Sequence, residues 1–314
     1  MNFEDVELAR QKYHNKVKKC WNIYLIILAM VILFAIPFIS ITSVARRFTL
    51  SSLLPIFVIA FMGLVITGIV VSISTRKEAK AYRKAYKAYF VEKNLKQIFT
   101  DLQYNHEAGI DEKTLRSTGM INTGDAYSSN DLTIAKYKDV SLMQADACIQ
   151  VEHTDSDGDT TYVTIFRGRF MIFEFPKKFN FRLEVVGKSF GAYMVIGKNA
   201  TTGKKASKIK TESTDFNKHF RIYGDDGFEA YYILDPAFME KIQNIGETYK
   251  YRLMFGFIDN KLLVGLSDGK DSFEPPAAKK PINEQAESEK ISNEIRVITD
   301  FVDKLSLDRK LFKN

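Results

Sequence analysis

The chain has 314 residues, of which 46% are hydrophobic and 26% charged, and its formal net charge is +7. This composition excludes an intrinsically disordered chain and a collagen, and the two cysteines exclude a disulfide scaffold and a four-cysteine zinc site. The mean hydropathy of −0.16 excludes a polytopic transporter, although the apolar residues are concentrated near the N-terminus.

The first notable segments are two uncharged apolar stretches, residues 21–41 and 53–74. A bilayer core of about 30 Å needs about 20 helical residues, so both stretches are predicted to be transmembrane helices. A cleaved signal peptide is not expected, because its apolar region would be only about 7–15 residues long. The alternative is a pair of buried helices in a soluble core, which are usually shorter and interrupted by polar residues.

The positive charges lie beside these stretches and predict an orientation. Residues 1–20 and 76–96 together carry thirteen Lys and Arg, whereas the connecting residues 42–52 carry two. The positive-inside rule therefore places both termini in the cytoplasm and residues 42–52 outside, as a transmembrane hairpin. Because the chain beyond residue 96 is slightly acidic, the pI near 9.1 does not indicate nucleic-acid binding, and no nucleic-acid partner is expected.

Residues 75–100 follow the second stretch and predict a basic juxtamembrane helix. Its lysines recur at intervals of three and four along one face, and Tyr82, Tyr86 and Tyr89 lie along another. Such cations favour contact with a lipid bilayer and its anionic headgroups; a stop-transfer signal followed by a stalk is the alternative. The predicted membrane-surface residues are Lys18, Lys19, Arg76, Lys77, Lys80, Arg83, Lys84 and Lys87.

Residues 101–273 are predicted to form a cytoplasmic α+β domain with a mainly antiparallel sheet. Runs rich in β-branched and aromatic residues alternate with turn residues, which is typical of paired strands. Asp235 and Pro236 predict the start of a helix within this region. The predicted strands are 132–137, 146–153, 161–166, 169–175, 181–186, 193–197, 219–224, 229–234, 251–258 and 261–266.

The C-terminal part is predicted to contain a linker, residues 274–283, and an amphipathic helix within residues 284–314. Its apolar residues recur every three or four positions, so this helix docks either on the sheet or on a partner. These residues are Ile291, Ile295, Ile298, Val302 and Leu305.

No residue is predicted to be catalytic, cofactor-binding or metal-binding. Asp155, Asp157 and Asp159 resemble the start of a calcium loop, but the later positions do not fit, so an acidic hairpin turn is favoured. Residues 197–205 have the wrong spacing for a phosphate loop. The four histidines are scattered, and Cys148 is expected to be a buried inert thiol.

Three stretches make the chain resemble the bacterial DUF3137 family, whose activity is uncharacterised. They are TIFRGRFMIFEFPKKFN (164–180), DFNKHFRIYGDDGFEAYYILDPAFMEKI (215–242) and FIDNKLLVGL (257–266). The resemblance implies a multi-pass protein of the bacterial inner membrane and supplies no catalytic residue. Gly227 and Phe228 are small departures from the family pattern. The matching residues are strand aromatics and turn residues. We therefore favour a packing signature, meaning residues shared because they build the fold, over a hidden active site.

The leading functional hypothesis is a membrane-tethered cytoplasmic module that binds a protein or lipid partner. One alternative is a membrane-attached hydrolase-type enzyme whose site gathers Asp225, Asp226, Glu229 and Asp259. Another is an accessory subunit of a membrane complex, which would use the C-terminal helix as its contact surface.

Overall fold

The fold is that of a computed structural model, which describes residues 1–44, 54–119, 121–190, 206–225 and 227–307. Within these ranges the chain forms two compact units. The helical unit comprises Met1–Tyr89 and Pro275–Glu287, and the sheet unit comprises Phe90–Glu274 and Ser288–Asn314.

The helical unit is built on two long helices, α1 (Phe3–Val44) and α2 (Leu54–Tyr86). Each joins an apolar stretch to a charged one without a break, because neither junction contains a glycine or proline that would end a helix. Among the described residues, no helix has both the length and the apolar character needed to cross a bilayer. The predicted transmembrane hairpin of residues 21–41 and 53–74 is therefore not supported as a pair of spans.

The predicted juxtamembrane helix, residues 75–100, is not a separate continuous element. Its first part belongs to α2, which ends at Tyr86, and a π-helical turn (Lys87–Val91) leads into α3 (Glu92–Ile98). A π-turn has more residues per turn than an α-helix, so it changes which side chains share a face. The sequence pattern, read with a constant helical period, does not reveal this shift.

The sheet unit contains a seven-stranded antiparallel sheet with flanking helices, and the predicted α+β class is confirmed. The strand order is β1-β2-β3-β4-β6-β5, and β7 also pairs with β4. The strands are β1 (Thr100–Asn105), β2 (Ala126–Tyr137), β3 (Val140–Thr154), β4 (Thr160–Gly187), β5 (Ser207–Ile209), β6 (Phe220–Gly224) and β7 (Leu253–Leu266). The remaining helices are α4 (Glu112–Thr118), α5 (Thr214–His219), α6 (Gly227–Ile233), α7 (Pro236–Thr248) and α8 (Glu284–Leu305).

The 28-residue strand β4 organises this sheet. Its first half pairs with β3, its second half with β6, and β7 lies along its other side from residue 169 onward. Three predicted strands (161–166, 169–175 and 181–186) are segments of β4. The close approach of β7 requires Gly168, since a Cβ there would lie 2.1 Å from the carbonyl oxygen of Leu266.

Helices cover both faces of the sheet. On one face, Leu115 of α4 packs into a core that includes Phe166 and Phe170 of β4, whose rings stack at 4.2 Å. On the other face, Phe238 of α7 contacts Phe257, and Phe301 of α8 lies 6.3 Å from Phe255. The residues predicted to form the apolar face of the C-terminal helix are all buried. The part of α8 in the sheet unit therefore docks on its own domain.

Two predicted strands are not strands in the described structure. Residues 229–234 lie in and just after α6, where Ala230, Ile233 and Leu234 are buried while Tyr231 and Tyr232 are 49% and 57% exposed. That spacing of buried residues is helical. The other predicted strand, residues 193–197, lies outside the described residues.

Candidate functional site

The predicted membrane-surface cations lie on α1 and α2 of the helical unit, apart from one. Lys18 and Lys19 on α1 are exposed, as are Arg76, Lys77, Lys80, Arg83 and Lys84 on α2. Lys87 is only 1% exposed, so its assignment to the cationic face is wrong. Lys87 is also the first residue of the π-helical turn, so it lies outside α2.

Contacts between α1 and α2 fix how these cations align. Lys16 Nζ lies 3.5 Å from Glu78 Oε1, and the rings of Tyr13 and Tyr82 stack at 6.3 Å. The helices are therefore antiparallel, and residues of α1 and α2 at the same level have numbers that sum to about 95. This register places Lys18 and Lys19 beside Arg76 and Lys77. We call these four residues the cation collar.

Immediately beyond the collar, both helices expose large apolar side chains. They begin at Trp21 on α1 and end at Ile73 on α2, which the same register places within about one helical turn of each other. Each of these side chains is between 44% and 67% exposed. We call this set the apolar zone: Trp21, Ile23, Leu25, Ile26, Ile27, Met30 and Leu33 of α1, with Val58, Phe61, Met62, Leu64, Val65, Ile66, Ile69, Val70 and Ile73 of α2.

At the opposite end of the helical unit, three tyrosines hold the segment Pro275–Glu287. The hydroxyl of Tyr82 donates to the carbonyl oxygen of Pro276 at 3.1 Å, and that of Tyr86 donates to Glu287 Oε2 at 2.5 Å. Tyr89 donates to Glu284 Oε1 at 2.5 Å. The predicted tyrosine face is thus a structural contact for this segment.

Arg10 adds to this attachment from α1. Its guanidinium donates to the carbonyl oxygen of Ala278 and, at 2.8 Å, to Glu7 Oε2. The hydrogen bond from Arg10 lowers the pKa of Glu7 below its ordinary value. The segment Pro275–Glu287 is therefore a fixed part of the helical unit, although the sequence predicts a linker over most of it.

The sheet unit contains a buried ion pair that no sequence motif indicated. Asp146 of β3 and Arg169 of β4 are 2% and 3% exposed, and Arg169 Nε lies 3.3 Å from Asp146 Oδ1. Asp146 Oδ2 accepts the backbone N–H of Ser272, and Arg169 Nη1 donates to the carbonyl oxygen of Glu294 at 2.7 Å. Burial raises the pKa of Asp146 to about 6, although Arg169 opposes the shift. The pair thus joins the sheet to the chain before and within α8.

Three carboxylates lie near this pair. One oxygen from each of Asp131, Asp271 and Glu274 falls within 4.8 Å of the others. The oxygens of Asp131 already accept hydrogen bonds from Tyr104 Oη at 2.5 Å and from Asn130 Nδ2 at 2.8 Å. Because those bonds account for both oxygens, a structural role explains the burial of Asp131 without a metal ion.

A second buried pair lies on β4. Arg182 and Glu184 are hydrogen-bonded to each other, and Arg182 also donates to the carbonyl oxygen of Gly119, just after α4. Burial raises the pKa of Glu184 to about 6, while Arg182 opposes the shift. This pair attaches the end of α4 to the sheet.

Two of the four carboxylates of the alternative enzymatic hypothesis are described by the structure. Asp225 and Asp259 are both exposed. Asp226 lies outside the described residues, and the side chain of Glu229 is not described. The only group of three metal-ligating side chains found among the described residues is the one at Asp131, which includes none of these four.

The other sequence candidates have structural explanations where the structure describes them. Asp155 Oδ1 accepts the backbone N–H groups of Asp157 and Asp159, each at 3.0 Å, so the acidic hairpin turn is confirmed. Cys148 is half-buried instead of fully buried, because it lines an open cleft of about 290 Å³ together with Arg167 and Lys270. The phosphate-loop candidate at residues 197–205 lies outside the described residues.

Residues of the family resemblance mainly build the core. Phe216 and Phe220 stack at 4.8 Å, and Ala230 and Leu234 are buried. These positions therefore fit a packing signature.

Comparison with known proteins confirms the family resemblance. The model of DUF3137, a protein family of unknown function, matches residues 164–307. No curated protein matches the chain. A solved structure, the crystal structure of the mycobacterial trehalose monomycolate transport factor A, TtfA, matches with a TM-score of 0.36 and 10% sequence identity. That match covers 71% of this chain and 92% of the other.

Proposed function

We propose that this protein is a membrane-attached module, in which the apolar zone of α1 and α2 lies in a lipid bilayer and tethers the sheet unit. The observation that carries the proposal is the apolar zone itself, which ends at the same level on both helices. The bilayer is the proposed partner, in preference to the apolar surface of another protein.

The size of the apolar zone supports this proposal. Burying a large apolar side chain completely contributes about 1.5–3 kcal/mol, so a half-exposed one contributes about 1 kcal/mol. For the sixteen side chains of the zone, transfer out of water contributes on the order of 15 kcal/mol. Monomeric soluble proteins rarely leave apolar patches of this extent in water.

The sharp end of the apolar zone also fits a membrane interface. Trp21 lies at the boundary and packs edge-on against Tyr24 at 5.8 Å, and aromatic side chains are enriched at the level of lipid headgroups. On the polar side of this boundary both helices carry cations and no further exposed apolar run of comparable length. A second protein in place of lipid would not require the boundaries of the two helices to coincide.

The finer form of the proposal is a two-span anchor in the bacterial inner membrane, with both termini in the cytoplasm and residues 42–52 outside. It is supported by the uncharged lengths of residues 21–41 and 53–74 and by the excess of cations on the terminal side. Shallow insertion of the apolar zone is the competing form of attachment.

Flotation with protein-free vesicles tests the proposal. The purified full-length protein should float with the vesicles and resist extraction with alkaline carbonate. Ile66→Lys/Ile69→Lys should lower the partition coefficient for vesicles by about 10⁴-fold, because each lysine at the centre of a bilayer costs about 2.5–3.5 kcal/mol. Tyr162→Lys/Val163→Lys is the matched control, since it alters exposed apolar residues of the sheet unit. Wild-type protein that remains soluble with vesicles present would contradict the proposal.

Reporter fusions distinguish the two forms of attachment. In the two-span form, a fusion at residue 47 reports the external compartment and a C-terminal fusion reports the cytoplasm. In the shallow form, both fusions report the cytoplasm.

A further inference from the structure

We propose that the cation collar (Lys18, Lys19, Arg76 and Lys77) binds the phosphate groups of anionic phospholipids and gives the anchor a preference for them. This inference rests on the proposed function, because it assumes that the neighbouring apolar zone lies in lipid. It goes further by naming the class of lipid and the four side chains that select it.

The first argument is position. The register set by Lys16 with Glu78 and by Tyr13 with Tyr82 brings the four cations to one level, although they come from two helices. Trp21 lies three residues after Lys18, about 4.5 Å along the helix axis, and Ile73 lies three residues before Arg76. With the apolar zone in the hydrocarbon, the collar lies at the depth of the headgroup phosphates.

The second argument is charge. All four collar side chains are exposed, and within the described part of the chain none has a carboxylate oxygen within 4.0 Å. The nearest acid on α2, Glu78, is engaged by Lys16 at 3.5 Å. Exposed like charges held at one level repel one another, so a layer of anionic headgroups is the complementary surface.

The third argument separates the collar from the other cations of α2. Lys84 lies seven residues beyond Lys77, which is about 10 Å farther along the helix axis. This distance is about one Debye length at physiological ionic strength, so Lys84 interacts weakly with the headgroups. The preference for anionic lipid is therefore assigned to the collar, and Lys84 contributes less.

Fluorescence of Trp21 provides a direct test, because it is the only tryptophan of the chain and lies beside the collar. The full-length protein is reconstituted into vesicles that contain phosphatidylcholine and phosphatidylglycerol, with bromine atoms on the acyl chains of one lipid at a time. Quenching of Trp21 then reports which lipid is next to it. We expect the relative binding constant of phosphatidylglycerol to exceed that of phosphatidylcholine about 5-fold, the factor that corresponds to about one cation–headgroup interaction.

The variant Lys18→Gln/Lys19→Gln/Arg76→Gln/Lys77→Gln should reduce this ratio to about 1. The matched control, Lys113→Gln/Lys218→Gln/Lys250→Gln/Lys270→Gln, removes four exposed lysines of the sheet unit and should leave the ratio unchanged. For the wild-type protein the ratio should also fall as salt is raised to about 1 M, which tests the inference without any substitution.

The outcomes separate this inference from the function on which it rests. Equal quenching by the two brominated lipids shows an anchored protein without selectivity and overturns only the inference. A ratio that survives in the collar variant, or that is independent of salt, also overturns it. Absence of quenching by either lipid overturns the proposed function as well, since Trp21 is then not in contact with the bilayer.

Discussion

Replacing Arg169 with methionine should destabilise the sheet unit strongly. The side chain of Asp146 is 2% exposed, so in Arg169→Met a buried carboxylate loses its counter-ion. The carbonyl oxygen of Glu294 also loses its 2.7 Å hydrogen bond, and the ring of Phe273 loses the guanidinium that lies 5.1 Å from its centroid. Removing one partner of a buried ion pair costs about 3–5 kcal/mol.

The loss of stability in Arg169→Met should also depend on pH. In the folded protein the pKa of Asp146 is raised to about 6 from an ordinary 3.8, so the folded state holds this proton more tightly than the unfolded state does. The stability that Asp146 contributes is therefore fully present below pH 3.8 and is lost as the pH rises through 6. The charge of Arg169 lowers the pKa of Asp146 in the wild type, so the loss of Arg169 raises this pKa further. The difference between variant and wild type should grow between pH 5 and pH 8, by up to about 1.4 kcal/mol per pH unit.

Urea denaturation of the full-length protein in mild detergent measures this effect, with amide hydrogen exchange of peptides from β3 and β4 to follow the sheet unit. Asp146→Asn/Arg169→Met is the informative control, because removing both charges should cost less than removing Arg169 alone. A defect of Arg169→Met below 1 kcal/mol at pH 8, or one of equal size at pH 5 and pH 8, would refute the reasoning.

Three further substitutions test the packing. Phe170→Ala should lower the free energy of unfolding by about 3–5 kcal/mol, because Phe170 is fully buried. In the same urea titration, Tyr162→Ala, at an exposed position, should change this free energy by less than about 0.5 kcal/mol. Gly168→Ala should lower the melting temperature by several degrees, because the added Cβ would meet the carbonyl oxygen of Leu266 and the φ of +151° is unfavourable for alanine. An unchanged melting temperature would contradict this prediction. Tyr86→Phe should lower the free energy of unfolding by about 1–2 kcal/mol and speed proteolysis within Pro275–Glu287, because the hydrogen bond to Glu287 is lost. Tyr89→Phe removes a more exposed hydrogen bond and should have a smaller effect on both measurements.

The α+β class and several helix boundaries follow from local sequence patterns. Asp235 caps α7 by accepting the backbone N–H of Phe238 at 2.7 Å, with Pro236 at the first helical position, as predicted. The buried face of α8 also follows from its apolar spacing. Caps and amphipathic spacing act within one or two helical turns, so they can be predicted without the rest of the chain.

Other elements depend on tertiary context. The residues AYYIL are apolar at nearly every position, so their composition favours a strand, and only burial of Ala230, Ile233 and Leu234 together reveals α6. The strand β1 was missed, because the polar sequence of Thr100–Asn105 has no strand pattern and it forms by pairing with β2. Pairing energy from a neighbouring strand is absent from any local sequence window.

The candidate site also has features that the sequence predicts and features that depend on tertiary contacts. Hydropathy and charge indicated the apolar stretches and most of the cations, because these properties belong to single residues. The burial of Lys87 depends on tertiary packing that its helical spacing does not reveal, and the level alignment that defines the cation collar depends on the contact of Lys16 with Glu78. The pairing of Asp146 with Arg169 depends on the register of β3 and β4, which joins residues 23 positions apart.

Nitroxide accessibility in reconstituted vesicles tests the central claim most directly. In a background in which Cys20 and Cys148 are replaced by alanine, the variants Ile26→Cys, Ile66→Cys and Tyr162→Cys each carry one spin label. The account predicts high accessibility to oxygen and low accessibility to a water-soluble nickel complex at positions 26 and 66, with the reverse at position 162. If positions 26 and 66 are as accessible to the nickel complex as position 162, the apolar zone lies in water and the account is contradicted.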